Sequence, residues 1–371
     1  MRQFPPARVG DPLDLVDTPA LVLQLDALER NIARMATAVQ GSGVRLRPHA
    51  KTHKCLEIAR RQIAAGAVGV CVQKVSEAEA LVLGGVDDVF VSNEVVGPQK
   101  LVKLAGLAER ARISVCVDDV ENVAHLQNAS QNAGVEIDVL VDVDVGMGRC
   151  GVAAGNPAAK VARCVDSARN LRFAGLHAYQ GSAQHLRTIA ERRAAITKAI
   201  RSVSATVDAL RRDGVVCPTI TGAGTGTFVF ELHSGLFTEL QPGSYVFMDA
   251  DYSRNEWAGF PSFEQSLFVL STVMSRPTTD RAVVDAGLKA LAMDSGVPDI
   301  ADRVGIQYVG ASDEHGVLRT EPGLAQLKLG DKLLLVPGHC DPTVNLHDWI
   351  VCTRNGIVEA LWPIVSRGPG F

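Results

Sequence analysis

Between residues 45 and 244 the chain repeats one rhythm, a short apolar run followed by a longer stretch with helical spacing. The runs are "RLRPH", "GVCVQ" (69–73), "DVFVS" (88–92), "ISVCVD" (113–118), "EIDVLVDVD" (136–144), "FAGLHAYQG", "TITGAG" (219–224) and "TELQPGS" (238–244). Between them, "LEIARRQIAAG" gathers Leu56, Ile58, Ala59 and Ile63 on one side and stops at Gly66, and "ITKAIRSVSATVDALRRDG" stops at Gly214. A glycine just past the last periodic residue is a C-cap signal. Eight strands alternating with helices predict an α/β fold, a parallel (β/α)8 TIM-like barrel. In such a barrel the chemistry sits where the strands run into the loops that follow them.

From about residue 262 the rhythm changes to strand-like runs, "SLFVLSTVMS", "RAVVDAG", "IQYVGAS", "DKLLLVPGH" and "WIVCTRNGIVEALWPIV", with a turn signal at Arg354-Asn355-Gly356. No long helix is expected there. The predicted organisation is an N-terminal strand segment (1–24) joining a β-domain, a barrel (25–260) and the C-terminal all-β domain (261–371). Ahead of the barrel, "DALERNIARM" starts a helix, with Asp26 and Glu29 as a capping-box-like pair.

Composition narrows the class. The 371 residues are 47% apolar and 21% charged, which suits a soluble globular protein. A net charge of −4 supplies no attraction for nucleic acid or an anionic membrane. No apolar run approaches the roughly 20 residues of a membrane helix, and the N-terminus lacks the apolar core of a signal peptide. The eight cysteines are dispersed without a CxxC pair, so they read as buried thiols in a reducing cytoplasm.

Five segments carry candidate chemistry. "RLRPHAKTHK" (45–54) places Lys51 at the end of the first strand among Arg47, His49, His53 and Lys54. Nearby cations lower a lysine's pKa and free its amine for attack on an aldehyde, although a solvated basic loop has the same pattern. "TITGAGTGT" (219–227) is small enough for backbone N–H groups to converge on an anion, as late barrel loops do, or simply to turn tightly. A lysine after the first strand and a phosphate loop after the seventh together suggest pyridoxal 5′-phosphate. "DVDVGMGRCGV" (142–152) surrounds Arg149 with glycines, so its guanidinium can approach a flat ligand and keep a pyridine nitrogen unprotonated; pairing with Asp142 or Asp144 is the plainer alternative. "LHAYQGSAQH" (176–185) offers Tyr179 as a cofactor contact and His185 as an acid or base, or a structural histidine. In "VPGHCDPTVNLHD", His339 and Asp341 are two apart, which on an extended strand puts both on one face and suits a divalent metal.

Taken together, RPHAK, QKVSEAE, SNEV, VDVGMGRCGV, AYQGSAQH, GTG, ELQPGSYVFMDADY, VVDAGLK, DEHG and GHCDPT resemble the D-threonine aldolases and the related 3-hydroxy-D-aspartate aldolases, fold-type III pyridoxal phosphate enzymes. The resemblance runs from about residue 17 to the C-terminus. It implies an alanine-racemase-like barrel plus β-domain, usually assembled as a homodimer with sites near the subunit interface. It makes Lys51 the Schiff-base lysine and Arg149 the partner of the pyridine nitrogen, with Tyr179 on the cofactor side. It places Gly222, Gly224, Thr225 and Gly226 on the phosphate loop, where Ala223 stands at a position relatives often fill with glycine. Gln241, Gly243, Ser244 and Tyr245 complete the cofactor pocket. His339 and Asp341 fall on the metal ligands, for Mn2+ first and Mg2+ or Zn2+ otherwise, and His185 on a histidine acting through metal-bound water. The implied reaction is retro-aldol cleavage of a D-3-hydroxy amino acid, such as D-threonine or D-allo-threonine, to glycine and an aldehyde. The neighbouring reading is a D-serine or D-threo-3-hydroxyaspartate dehydratase, whose relatives tend to hold zinc with His-x-Cys; Asp341 favours the aldolase. A non-catalytic pyridoxal phosphate carrier is disfavoured by the β-domain.

Overall fold

The structure is a computed structural model that describes residues 4–261, 263–301, 303–321 and 326–371. The eight runs become eight strands, β1 (Arg45–Leu46), β2 (Val70–Val72), β3 (Asp88–Glu94), β4 (Arg112–Val117), β5 (Ile137–Asp144), β6 (Leu171–Ala178), β7 (Ile220–Gly222) and β8 (Glu239–Leu240). They pair in parallel in the order β1-β8-β7-β6-β5-β4-β3-β2. β1 meets β2 through a parallel bridge between His49 and Cys71 and through the Cys71 N–H bond to the Pro48 carbonyl at 2.8 Å. The period-2 alternation sorts the side chains: Val89, Val91, Val115, Val139 and Val141 pack outward in the main core, whereas Cys71, Phe90, Cys116 and Leu140 form a separate cluster inside the barrel.

The helices fall where the periodicity put them, including Leu56–Ala64 and Ile189–Arg212, and Gly66 and Gly214 follow them at positive φ (104° and 73°). The capping box expected at Asp26 and Glu29 does not form. Helix Leu25–Val39 starts straight out of strand Ala20–Gln24, two residues too early for Asp26 to cap it, and its N-cap Gln24 makes no side-chain cap bond. Asp26 and Glu29 instead bind Arg354 of the second sheet.

That sheet runs Ile306–Ala311, Gly316–Thr320, Arg281–Val284, Leu267–Ser275, Ala20–Gln24, Trp349–Arg354 and Ile357–Pro363, with Lys332–Val336 also on Leu267–Ser275. The hairpin between the last two strands turns at Asn355 and Gly356, both at positive φ (50° and 74°), the conformation a type I′ turn demands. Five of the eight cysteines are buried as expected. Cys150 is exposed, because it sits on the glycine-rich loop beside Arg149, and Cys164 and Cys217 are half-buried. Among the described residues, no helix is long and apolar enough to cross a membrane.

At the N-terminal end of the strands, ion pairs join neighbours around the barrel. Glu239 on β8 meets Arg45 at 3.5 Å and Arg47 at 3.1 Å, and Arg47 continues to Asp88 on β3 at 2.6 Å. Arg112 on β4 links Asp88 (3.8 Å) to Asp138 on β5 (2.8 Å), which also takes Arg172 on β6. At the opposite end the second sheet docks on the loop after β1. Lys54 Nζ reaches Glu77 at 3.1 Å and Asn345 at 2.7 Å, and the Lys54 carbonyl accepts the Val365 N–H at 3.0 Å.

Candidate active site

A cleft of about 210 Å³ opens at the C-terminal end of the strands. Lys51 stands on the 3-10 turn Ala50–Thr52 beyond β1, and its amine lies 3.3 Å from Asp341 Oδ2 of the other domain. The expected field of cations around this lysine does not exist. Arg47 is spent on Glu239 and Asp88 at the far end of the barrel. His53 accepts the Cys55 N–H and meets Gln62, and burial pushes it down to about 4. Lys54 is held by Glu77 and Asn345. His49 accepts the Lys51 N–H at Nδ1 (3.4 Å), its Nε2 lies between Ser92 Oγ (3.1 Å) and Gln73 Nε2 (3.0 Å), and burial holds it well below the usual histidine range. The Lys51 amine is instead raised above the ordinary lysine value, because Asp341 faces it and outweighs the opposing effect of burial.

His339 and Asp341 line the same cleft, but not as neighbours on a strand. Strand Lys332–Val336 has ended, and His339 is the N-cap of the short helix Cys340–Val344. The turn is held from the barrel side: Asp249 Oδ2 accepts the Cys340 N–H at 3.1 Å, and Ala250 and Asp251 donate their N–H groups to the Pro337 and Gly338 carbonyls. His339 Nδ1 is 2.7 Å from Asp294 Oδ2, so Nε2 is the nitrogen left for a ligand. Asp341 Oδ1 is buried with no hydrogen-bond partner. Among the described residues no cluster of three or more His, Cys, Asp or Glu side chains could close a metal shell, so this pair supplies two donors.

His185 follows β6 on the turn Ser182–His185, and its Nδ1 lies 2.7 Å from Asp251 Oδ2. Asp251 is in turn bound by Arg187. Neither Asp251 nor Asp249 stands out from the sequence, although both lie in "MDADY", where two carboxylates flank a single alanine. On the opposite wall, Asp144 Oδ1 accepts the N–H groups of Gly146, Met147 and Gly148 at 2.8 to 3.1 Å and so shapes the loop carrying Arg149, whose guanidinium lies 6.0 Å from the Tyr179 ring.

The loop after β7 brings Ala223, Gly224 and Thr225 to the cleft, and the loop after β8 brings Gln241, Gly243 and Ser244. Thr225 Oγ1 is buried without a partner. Ala223 adopts φ 73°, the left-handed conformation in which a glycine costs nothing and an alanine about 1 kcal/mol or more. Three of the predicted cofactor residues stand off the cleft wall. Gly222 gives its carbonyl to the Gln241 N–H, Gly226 gives its N–H to Gln184, and Tyr245 is a fully buried core residue whose hydroxyl accepts from Gln62 at 3.0 Å.

With this geometry in place, the relatives fall into line. Residues 23–251 match the family model of the alanine racemase N-terminal domain, and residues 266–353 that of a putative serine dehydratase domain. A D-threonine aldolase from an Arthrobacter species is 51% identical over 98% of this chain and 96% of its own length. A 3-hydroxy-D-aspartate aldolase from Paracoccus denitrificans strain Pd 1222 is 46% identical over 99% of this chain and 96% of its own. The crystal structure of D-threonine aldolase from Filomicrobium marinum superimposes with a TM-score of 0.97 at 51% identity, each chain covered completely. The chain therefore belongs to the family of the D-threonine and 3-hydroxy-D-aspartate aldolases, lyases built on the alanine-racemase fold.

Proposed function

We propose that this chain is a pyridoxal phosphate- and divalent-metal-dependent aldolase that cleaves D-3-hydroxy amino acids to glycine and an aldehyde. The observation that carries the reading is the convergence in one cleft of the Lys51 amine, the unpartnered Thr225 hydroxyl, the unpartnered Asp341 oxygen and His185. Those groups fit both cofactors. A buried hydroxyl on a loop of small residues suits a phosphate, and an amine across the cleft suits the aldehyde end of the same molecule. A buried carboxylate oxygen without a hydrogen bond, beside a histidine oriented by Asp294, suits a cation.

Pyridoxal phosphate, when bound, supplies an electron sink for the pair released at Cα. A divalent cation supplies acidification of the substrate's 3-hydroxyl. The protein does the rest. Lys51 would hold the cofactor through its amine. Arg149 would serve the ring nitrogen, with Tyr179 beside it. Gly224, Thr225, Gln241, Gly243 and Ser244 line the phosphate side, with Gly222, Gly226 and Tyr245 supporting from behind. His339 and Asp341 would hold the metal. His185 receives the hydroxyl proton at Nε2, because Asp251 occupies Nδ1 and fixes the ring. We take the molecule to act as a cytoplasmic homodimer with a barrel of residues 25–260, on small substrates rather than nucleic acid or membrane.

The test is a product assay. D-Threonine and D-threo- and D-erythro-3-hydroxyaspartate are supplied with and without EDTA and added Mn2+. Glycine plus an aldehyde is expected, and EDTA abolishes it. Ammonia plus a 2-oxo acid would make the chain a dehydratase instead. Activity indifferent to EDTA would remove the metal from His339 and Asp341.

A further inference from the structure

Gln184 and His185 are neighbours on one turn and face different ways. His185 lines the cleft, whereas Gln184 is 1% exposed and sits behind the loop that follows β7. The Gln184 carboxamide is used at both ends. Its Oε1 accepts the Gly226 N–H at 2.9 Å, and its Nε2 donates to the Gln180 carbonyl at 3.2 Å and to Thr227 Oγ1 at 2.9 Å. The Thr227 hydroxyl donates in turn to Glu231 Oε1 at 2.9 Å, and the Gln184 carbonyl accepts from Asn255 at 3.0 Å. The loop is wrapped closely around this side chain: a Cβ at Gly224 would lie 2.5 Å from Gln184 Oε1.

Only a neutral amide satisfies this arrangement. Accepting from Gly226 while donating to both Thr227 and the Gln180 carbonyl requires a carbonyl and an NH2 on one planar group, which Gln has and Glu lacks. A carboxylate here would also set a negative charge behind an anion site. The consequence reaches Thr225, which stands between the two glycines with its hydroxyl buried, unpartnered and on the cleft wall.

We propose that Gln184 is the positioning residue for the cofactor's phosphate, holding residues 224–227 in their anion-binding shape by taking the Gly226 N–H and so aiming Thr225 into the cleft. This rests on pyridoxal phosphate being the cofactor. Donors fixed in advance bind an anion without the cost of ordering the loop at that moment.

The experiment titrates apoprotein with pyridoxal phosphate and, separately, with pyridoxal, which lacks the phosphate. It compares the unaltered chain with Gln184→Ala, Gln184→Glu and Thr227→Val. Pyridoxal phosphate affinity should fall about tenfold or more in Gln184→Ala, further in Gln184→Glu, and about threefold in Thr227→Val. Pyridoxal affinity should stay within about threefold throughout, so the preference for the phosphorylated form collapses. Equal losses for both ligands would show a general packing role and overturn the proposal, as would unchanged phosphate preference. Thr227→Val keeps the test decisive if the Gln184 variants do not fold. An unaltered chain that binds neither ligand would overturn the pyridoxal phosphate reading itself, and this inference with it, whereas normal binding in every variant would overturn this inference alone.

Discussion

The two ends of the barrel treat buried polar groups in opposite ways. At the N-terminal end, Glu239, Arg47, Asp88, Arg112 and Asp138 alternate in sign from strand to strand, each against a partner of opposite charge. At the C-terminal end, Thr225 Oγ1, Asp341 Oδ1 and one oxygen of Glu231 are buried with no hydrogen bond at all. A buried polar atom left without a partner costs about 1–3 kcal/mol, so the mouth gives up stability that the base retains. Matched charges occur at both ends, with Lys54 against Glu77 and Arg187 against Asp251 at the mouth. Unmatched atoms mark the end that awaits a ligand.

The strongest way to break that contrast is to remove the mouth's nucleophile. Lys51→Ala should lower turnover by about 10⁴-fold or more, since loss of a covalent anchor leaves only binding contributions, and product assay with D-threonine measures it. Retention of even a tenth of the activity would take Lys51 out of the chemistry. Next in size, His185→Ala should cost roughly 10²- to 10⁴-fold, the usual worth of a general base. Asp251→Asn should cost roughly tenfold or more by loosening the same ring, with the protein still folded. If Asp251→Asn acts at full speed, the His185 orientation in the structure is not the working one.

The base gives the converse result. Arg47→Met leaves Glu239 and Asp88 without their buried partner, and breaking such a pair costs about 3–5 kcal/mol. Urea unfolding should show that loss, while turnover per folded molecule stays within about twofold, as expected for a site far from the chemistry. Loss of activity without loss of stability would merge the two ends into one functional unit.

The same contrast decides what could be read from the residues alone. Alternation placed all eight strands, because short apolar runs that recur between helical stretches fit few arrangements besides a parallel barrel. Arg47 and His49 share the parity of Lys51, and both are buried. Parity gives a side, however, and not a height: Arg47 serves the base, whereas His49 and Lys51, past the end of β1, line the cleft. Height depends on side-chain length and on partners such as Glu239, which lies 192 residues away. The His339 and Asp341 geometry is hidden for a related reason, since the helix that follows His339 is only five residues long, too short for any periodicity to announce. Asp251 and Gln184 act only through other residues, and a residue type alone carries no trace of that.

A smaller effect separates two carboxylates equally hidden from water. Glu239 at the base and Glu231 at the mouth are both 2% exposed. Glu239 faces two arginines, whereas Glu231 has the Thr227 hydroxyl on one oxygen and nothing on the other. Burial therefore pushes Glu231 up to about 7 from 4.5. Between those values the folded chain keeps a proton on Glu231 that the unfolded chain releases. Folded stability must then fall as pH rises from about 4.5 to about 7, and level off above it. Glu231→Gln removes that slope. Relative to the unaltered protein, the variant should gain stability between pH 5 and pH 8, by at most about 3 kcal/mol. Paired urea titrations at pH 5, 6.5 and 8 measure the difference directly and cancel groups common to both proteins. An offset that is the same at all three values would mean that Glu231 is ionised in the folded chain, and that the mouth hides a cation for it after all.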